Sequence, residues 1–332
     1  MKYLIANEGS FYKANLHSHS TCSDGRFTPE ELKERYMEKG YSVFAFTDHG
    51  RLYPQDHLTD DKFLALNGLE IGLSSQPNKG GPDFIRRFNC DIGLIAPAGV
   101  TETYNLSESI ARYKNMNPDD PHTGATYNPK LVWDFMRYYR EHGYFVTHNH
   151  PSWSMERYEN YKHYHGMHAV EIMNTGCLIG GVFEYNDHVY QHMLELGERI
   201  YCTANDDNHN KITKTLDDSF GAWNMIKAKN LTYQSVMDAL FAGSFYATEG
   251  PDIKELYVDD DNVLHVVTSP VQYIRISTAG RHRKLSYNEG GELVSEATMK
   301  LLPEMKFVRV TILDDNGRYA FSNAYFMDEI LG

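Results

Sequence analysis

Apolar positions in the first 250 residues alternate between two spacings. Over residues 29–39, Leu32 and Tyr36 stand four apart with Met37 beside them, which predicts one buried face of a helix. Thr28 offers an N-cap oxygen, Pro29 fits the first turn, Glu30 and Glu31 favour the positive end of the dipole, and Gly40 ends the run. Val43, Phe44, Ala45 and Phe46 then form an unbroken apolar run, the pattern of a strand buried on both faces. The alternation continues. Strands are predicted over residues 63–71, 144–147, 169–173, 199–204 and 245–248, and helices over 106–114, 129–142, 187–196 and 232–242. Such a βα succession predicts an α/β fold, as a parallel barrel or a doubly wound sheet. Past Gly250 helical spacing almost disappears. Strands are expected over 253–258, 263–268, 273–278, 306–313 and 319–326, with turns at 259–262 and 314–317. The chain therefore divides into an α/β domain over 1–250 and a small antiparallel β domain over 251–332. Residues 74–81 read as a loop, and no internal repeat is present.

The histidine-bearing motifs share a feature: each lies at the C-terminal end of a predicted strand. Leu16 leads into His17-Ser18-His19. If this is a strand end, the period of two puts both imidazoles on one face, a two-nitrogen clamp. Asp24 follows in a Ser-Asp-Gly turn and can swing toward the same point. His49 ends the strand over 43–46, Glu70 the next, His148 and His150 the one after, and Asp207 and His209 repeat the two-residue spacing. Mixed imidazole and carboxylate suits zinc, manganese or iron, and three carboxylates with five or six imidazoles exceed what one ion needs. Each motif alone could be a turn cap; together, at successive strand exits, they favour a barrel, which brings strand ends to one mouth.

Composition narrows the partners. The formal net charge is -13, from 32 basic and 45 acidic residues, which argues against nucleic acid or an anionic membrane surface. Fourteen of the 16 histidines precede Gly250, and neither His265 nor His282 is given a chemical role. Cys22, Cys90, Cys177 and Cys202 contain no Cys-x-x-Cys pair, so free thiols in a reducing compartment are expected. No stretch approaches the roughly twenty apolar residues of a membrane span, and the first residues lack a leader pattern. A soluble cytoplasmic protein is the expectation.

His17-Ser18-His19 with Ser23-Asp24-Gly25, then Thr47-Asp48-His49, Gly68-Leu69-Glu70, His150-Pro151 and Asp207-Asn208-His209, resembles the ordered motifs of the PHP family, the polymerase-and-histidinol-phosphatase phosphoesterases. The likeness covers about residues 12–250. It implies a distorted (β/α)7 barrel, a centre of two or three divalent ions, and phosphoester hydrolysis by a metal-bound hydroxide. By motif position it implies that His17, His19, Asp24, His49, Glu70, His150, Asp207 and His209 are ligands. The β tail resembles an appendage of some stand-alone members.

Two departures stand out. The family often has another histidine ligand some tens of residues after the motif glutamate, whereas here no histidine lies between Glu70 and His122; Asp91 or Cys90 substitutes, or one ion is lost. An arginine that grips phosphate soon after the His-Pro pair is also missing, since the first basic residue there is Arg157. Arg51 and Lys211 are replacements, or plain surface charge. His148 is extra: a ligand, a partner to one, or a strand-end histidine. Asp207 is the candidate for moving a proton. The expected substrate is a small phosphorylated molecule. The rivals are a carbamate, ester or amide hydrolase on the same centre, and a binding protein without catalysis.

Overall fold

The computed structural model of this chain describes residues 1–74, 89–101, 129–211 and 217–331; the helix expected over 106–114 and most of the loop expected over 74–81 lie outside them. Helix α1 (Pro29–Glu38) starts where the sequence predicts. The Thr28 hydroxyl accepts from the Glu31 amide while the Glu31 carboxylate accepts from the Thr28 amide, a reciprocal cap. The later helices α2 (Pro129–Glu141), α3 (Asp187–Glu195) and α4 (Tyr233–Phe241) each fall within two residues of their expected bounds.

The strands of the α/β part are β1 (Lys2–Tyr3), β2 (Ser10–Asn15), β3 (Val43–Phe46), β4 (Leu64–Ser74), β5 (Asn89–Ile95), β6 (Phe145–Asn149), β7 (Ala169–Asn174), β8 (Tyr201–Asn205), β9 (Trp223–Ala228) and β10 (Phe245–Thr248). Those of the tail are β11 (Ile253–Val258), β12 (Val263–Val271), β13 (Tyr273–Thr278), β14 (Arg283–Ser286), β15 (Val294–Lys300), β16 (Phe307–Leu313), β17 (Tyr319–Ser322) and β18 (Tyr325–Phe326). One ladder runs β14-β13-β16-β17-β10-β9-β2-β3-β4-β5-β6-β7-β8, with β18 on β16, and a second sheet runs β1-β11-β12-β15.

The fold is thus mixed α/β with a large sheet, and the expected parallel barrel needs correction on two counts. First, β2 through β8 do follow one another in space, but β5 is antiparallel to both β4 and β6, while β2, β3 and β4, and β6, β7 and β8, are parallel. The period-two pattern of β5 lies in a stretch read only for a missing ligand. Second, the sheet is not closed. β9 takes the free edge of β2, antiparallel. Strand β8 then meets β2 and β9 through asparagine side chains: Leu16 donates its amide to Asn205 Oδ1 (3.1 Å), Asp206 to Asn15 Oδ1 (3.0 Å), and Ala204 to Asn224 Oδ1 (3.1 Å). These amides are buried, and the asparagines stand in for the missing ladder.

The unbroken apolar run of β3 is explained by its two faces. Val43 and Ala45 join a cluster with Ala14, Leu64, Leu66 and Phe145, while Phe44 and Phe46 pack with Leu32 and Tyr36 of α1. Across Gly250 the ladder continues without a break, since Thr248 of β10 pairs with Ala320 of β17, and β1 pairs with β11. Leu4 and Ile5 enter the apolar cluster of the tail.

His168 gives the fold a pH signature. Its Nδ1 accepts the Val146 amide (3.0 Å) and its ring stacks on Phe145, so burial and the Arg140 charge lower its pKa to about 3. Below pH 6.5 the unfolded chain takes a proton that the native imidazole refuses. This one group should therefore cost about 1.4 kcal/mol of stability per pH unit as pH falls from 6.5 toward 3, with no contribution above 6.5. In His168→Asn, whose Oδ1 can accept the same amide, urea denaturation against pH should lose that slope.

Candidate metal centre

Strand ends deliver the polar residues to one mouth, although several lie just past the strands. His17 and His19 follow the end of β2, and their Nε2 atoms stand 3.3 Å apart. The loop after them is tied down by Asp48, whose carboxylate accepts from the amides and hydroxyls of both Ser20 and Ser23. Gly25 closes this loop where any side chain would strike the His19 carbonyl, its Cβ falling 2.3 Å from that oxygen. Asp48 itself is spent on this, and Asp24 is the acid that reaches the mouth. Glu70 lies on β4 opposite Gly93 of β5, with Asp91 two residues along the same face.

Around Glu70, Oε1 lies 3.2 Å from His17 Nε2 and 3.1 Å from His150 Nε2, and Oε2 lies 3.1 Å from His49 Nδ1 and 3.4 Å from His19 Nε2. Asp207 Oδ1 lies 2.9 Å from His19 Nε2, 3.2 Å from His17 Nε2 and 3.7 Å from His209 Nδ1. Asp24 Oδ1 lies 3.3 Å from His209 Nε2 and 3.5 Å from His49 Nε2. Four groupings follow: His17, His19, Glu70 and Asp207; Glu70, Asp91 and His150; His19, Asp24, His49 and His209; and His17, His150 and Glu171. His17, His19, Glu70 and His150 belong to two each. All eight residues that motif position marks as ligands are here, joined by Asp91.

Charge in the mouth points to cations. Burial alone would lower the His17 and His150 imidazoles, but the surrounding carboxylates outweigh it and hold both well above their usual value; His19 is raised to about 9. Against burial, the imidazoles hold Glu70 and Asp207 below the usual carboxylate range. Burial, with Glu70 beside it, pushes Asp91 up to about 7. Protons are here doing the neutralising that a divalent ion could do instead. One atom fits an ion better than a proton. Among the described residues the buried Asp207 Oδ1 has no hydrogen bond of acceptable geometry, although three imidazole nitrogens converge on it. Lone pairs aimed at a shared centre, rather than N–H groups aimed at oxygen, give that arrangement, and the imidazole and carboxylate donors match zinc, manganese or iron.

The backbone bends to place these groups. His150 (φ 24°) and Asp207 (φ 52°) both occupy the left-handed region, where non-glycine residues cost energy and cluster at functional sites. Asp207 is locked by its backbone N–H, which donates a hydrogen bond to the His17 carbonyl (3.0 Å), and by Asp206 next door. The buried Asp206 carboxylate accepts from Tyr36 Oη (2.8 Å), Thr175 Oγ1 (3.0 Å) and the amides of Phe220, Gly221 and Ala222. Burial pushes Asp206 up to about 6 even though these donors pull it down. Replacing it by alanine would strand several buried donors at once. We expect Asp206→Ala to lose about 3 kcal/mol or more in urea denaturation.

Three readings that the sequence left open are narrowed by the placement of the side chains. His148 does not reach the mouth; it points to the opposite face of the sheet, where it meets Glu156 (3.0 Å). Cys90, weighed as a substitute ligand, lies with it there, whereas Asp91 faces the mouth. Arg51 is exposed, with its guanidinium over the Tyr53 ring, and does not line the cavity; Lys211 does, but its ammonium is held by Asp24 (2.6 Å). Sequence reading missed Glu171. Its buried carboxylate accepts from His17 Nδ1 (3.1 Å), the His150 amide (3.1 Å), Asn174 Nδ2 (2.8 Å) and Asn205 Nδ2 (2.8 Å). A lone acid inside the apolar run Ala169, Val170, Ile172, Met173 was the available signal.

A cavity of about 330 Å³ opens over these groups, walled by Trp153, Gly176, Cys177, Gly180, Lys211 and Asp218. Fold and site together define a mixed α/β protein with a His/Asp/Glu cluster able to hold metal ions. The match of the PHP domain family over residues 15–208, more than half of the chain, makes it a member of that family. A stretch of 39 residues is 49% identical to part of the DNA polymerase/3'-5' exonuclease PolX of Bacillus subtilis (strain 168), covering 12% of this chain and 7% of that protein. Among solved structures, a two-domain protein from Bacteroides vulgatus ATCC 8482, containing a predicted PHP-like metal-dependent phosphoesterase, is similar over 98% of both chains at 13% identity and TM-score 0.46. An amidohydrolase from Chromobacterium violaceum, with bound sulfate and no metal, covers 59% of this chain and 87% of its own at 13% identity and TM-score 0.35. Among the described residues, no helix is long and apolar enough to cross a membrane.

Proposed function

We propose that this chain hydrolyses a small phosphorylated substrate with the help of two or three divalent ions, zinc, manganese or iron. The observation that carries the reading is the placing of two carboxylates, Glu70 and Asp207, each among several imidazoles beneath an open cavity. His17, His19, Glu70 and Asp207 would hold one ion, Glu70, Asp91 and His150 a second, and Asp24, His49, His209 and His19 a third. Such ions supply Lewis acidity, bringing the pKa of water toward neutral and offsetting the charge that grows as the phosphoester bond breaks.

The chain's own side chains do the rest. Glu171 accepts the Nδ1 proton of His17, so Nε2 faces the mouth with its lone pair. Asp207, fixed by its backbone and reaching the cavity, is placed to accept the proton of the attacking water and to pass it to the leaving oxygen. Lys211 lines the cavity, is held in place by Asp24, and offers positive charge to an anionic substrate. Trp153, half exposed, walls the other side and shapes the space for the remainder of the substrate.

One observation favours a second reading, a carbamate, ester or amide hydrolase: among the described residues, no arginine lines the cavity. Protein prepared without chelators, analysed for metals and then assayed against phosphomonoesters, phosphodiesters, carboxylic esters and amides, separates the two. Turnover confined to the phosphoesters is expected. Turnover confined to carbonyl substrates replaces the first reading by the second, and protein with no bound ions and no turnover removes both.

A further inference from the structure

On the face of the sheet away from the mouth lies a polar knot in the largest apolar cluster. Cys90 on β5, His148 on β6 and Glu156 in the loop after His150 each present a donor atom, all within 4.8 Å of one another. The knot has its own residues and shares none with the groupings at the mouth. Strand alternation explains the separation. Asp91 pairs with Asn149 on the mouth face, whereas Cys90, Ile92 and His148 point the other way, among Ile71, Leu73, Met136 and Tyr164. Cys90 and His148 are fully buried, as is the Glu156 side chain.

Hydrogen bonding inside the protein leaves this knot incomplete. His148 Nε2 meets Glu156 Oε1 (3.0 Å), and the Cys90 sulfur hydrogen-bonds with Glu156 and Tyr164. Yet His148 Nδ1 and Glu156 Oε2, both buried, have no hydrogen-bond partner among the described residues. An apolar surround penalises such orphans. It penalises net charge as well, and a thiolate, a carboxylate and a neutral imidazole sum to the charge that one divalent cation cancels. Sulfur with imidazole nitrogen selects zinc over harder ions.

We propose that Cys90, His148 and Glu156 form a structural zinc site behind the sheet, distinct from the mouth, with one water completing the coordination. The site ties the loop that carries Trp153 and Glu156 to β5 and β6. It would thereby brace both the cavity wall and the strained backbone at His150 from behind.

Cobalt(II) tests this directly, because thiolate ligation gives cobalt an intense near-ultraviolet charge-transfer band that imidazole and carboxylate do not. Metal-free wild-type protein titrated with cobalt(II) should develop the band, which at saturation should have the intensity of one thiolate-bound cobalt per chain while the mouth takes up further cobalt without adding to it. The band should vanish in Cys90→Ser, persist in Cys177→Ser, whose sulfur lines the mouth, and persist in His19→Ala and Asp207→Asn, which damage the mouth alone. Elemental analysis should find one zinc fewer per chain in Cys90→Ser and in His148→Gln than in wild type. Absence of the band in wild-type protein overturns the proposal, and so does its survival in Cys90→Ser. Neither result touches the phosphoesterase reading, which the mouth variants and the substrate assays decide.

Discussion

Asp207→Asn should reduce hydrolysis by at least about a thousandfold while leaving the fold intact. The substitution is chosen for the backbone. Asp207 sits at φ 52°, and asparagine is among the few residues that accept the left-handed region readily, whereas alanine would add strain of its own. The side-chain shape and the backbone hydrogen bond to the His17 carbonyl also survive. What is lost is the negative charge on an oxygen within 2.9–3.7 Å of three imidazole nitrogens. Circular dichroism should match wild type, while kcat collapses and the ion content falls. Wild-type turnover in the purified variant would remove Asp207 from the chemistry.

Glu171→Gln should weaken metal binding at the mouth by about 10–100-fold, read by equilibrium dialysis on protein stripped of ions. All four partners of this carboxylate are donors: the His17 ring, the His150 amide and the side-chain amides of Asn174 and Asn205. A glutamine can satisfy them with its oxygen only. Its NH2 would point a donor at donors, so either His17 turns or the His150 backbone relaxes. A role confined to packing would leave affinity unchanged, because the two side chains are nearly the same size. Rescue by raised metal concentration would mark Glu171 as a positioning residue, since it acts through His17.

Much of the site was legible because its chemistry is local in sequence. His17 with His19, the Ser-Asp-Gly turn at Asp24, and Asp207 with His209 each carry their own spacing, and Glu70 and His150 sit at ends of strands that apolar runs announce. The period-two argument gathered residues that do meet at one mouth, but by a route the backbone does not follow. Strands β2 and β8 stop at Asn15 and Asn205, and Asp207 is swung inward by a left-handed residue rather than by strand alternation. His148 shows the opposite failure. It carries the same spacing to His150 as His17 does to His19, but regular alternation within β6 aims it at the other face, and only the kink at His150 brings that residue to the mouth.

The sequence by itself determined where many of the elements lie, because burial of Val43 to Phe46 or of the α1 face is written in residue order, and it determined that the chain belongs to the PHP family. Pairing between distant strands was decided only in three dimensions. That β5 runs antiparallel, that β9 takes the edge of β2, and that asparagine side chains span the resulting gap depend on hydrogen bonds between residues up to about 190 positions apart. The same holds for Glu171, which matters because four donors from separate segments meet at its carboxylate, and for Cys90, which gains company only when β5 lies against β6.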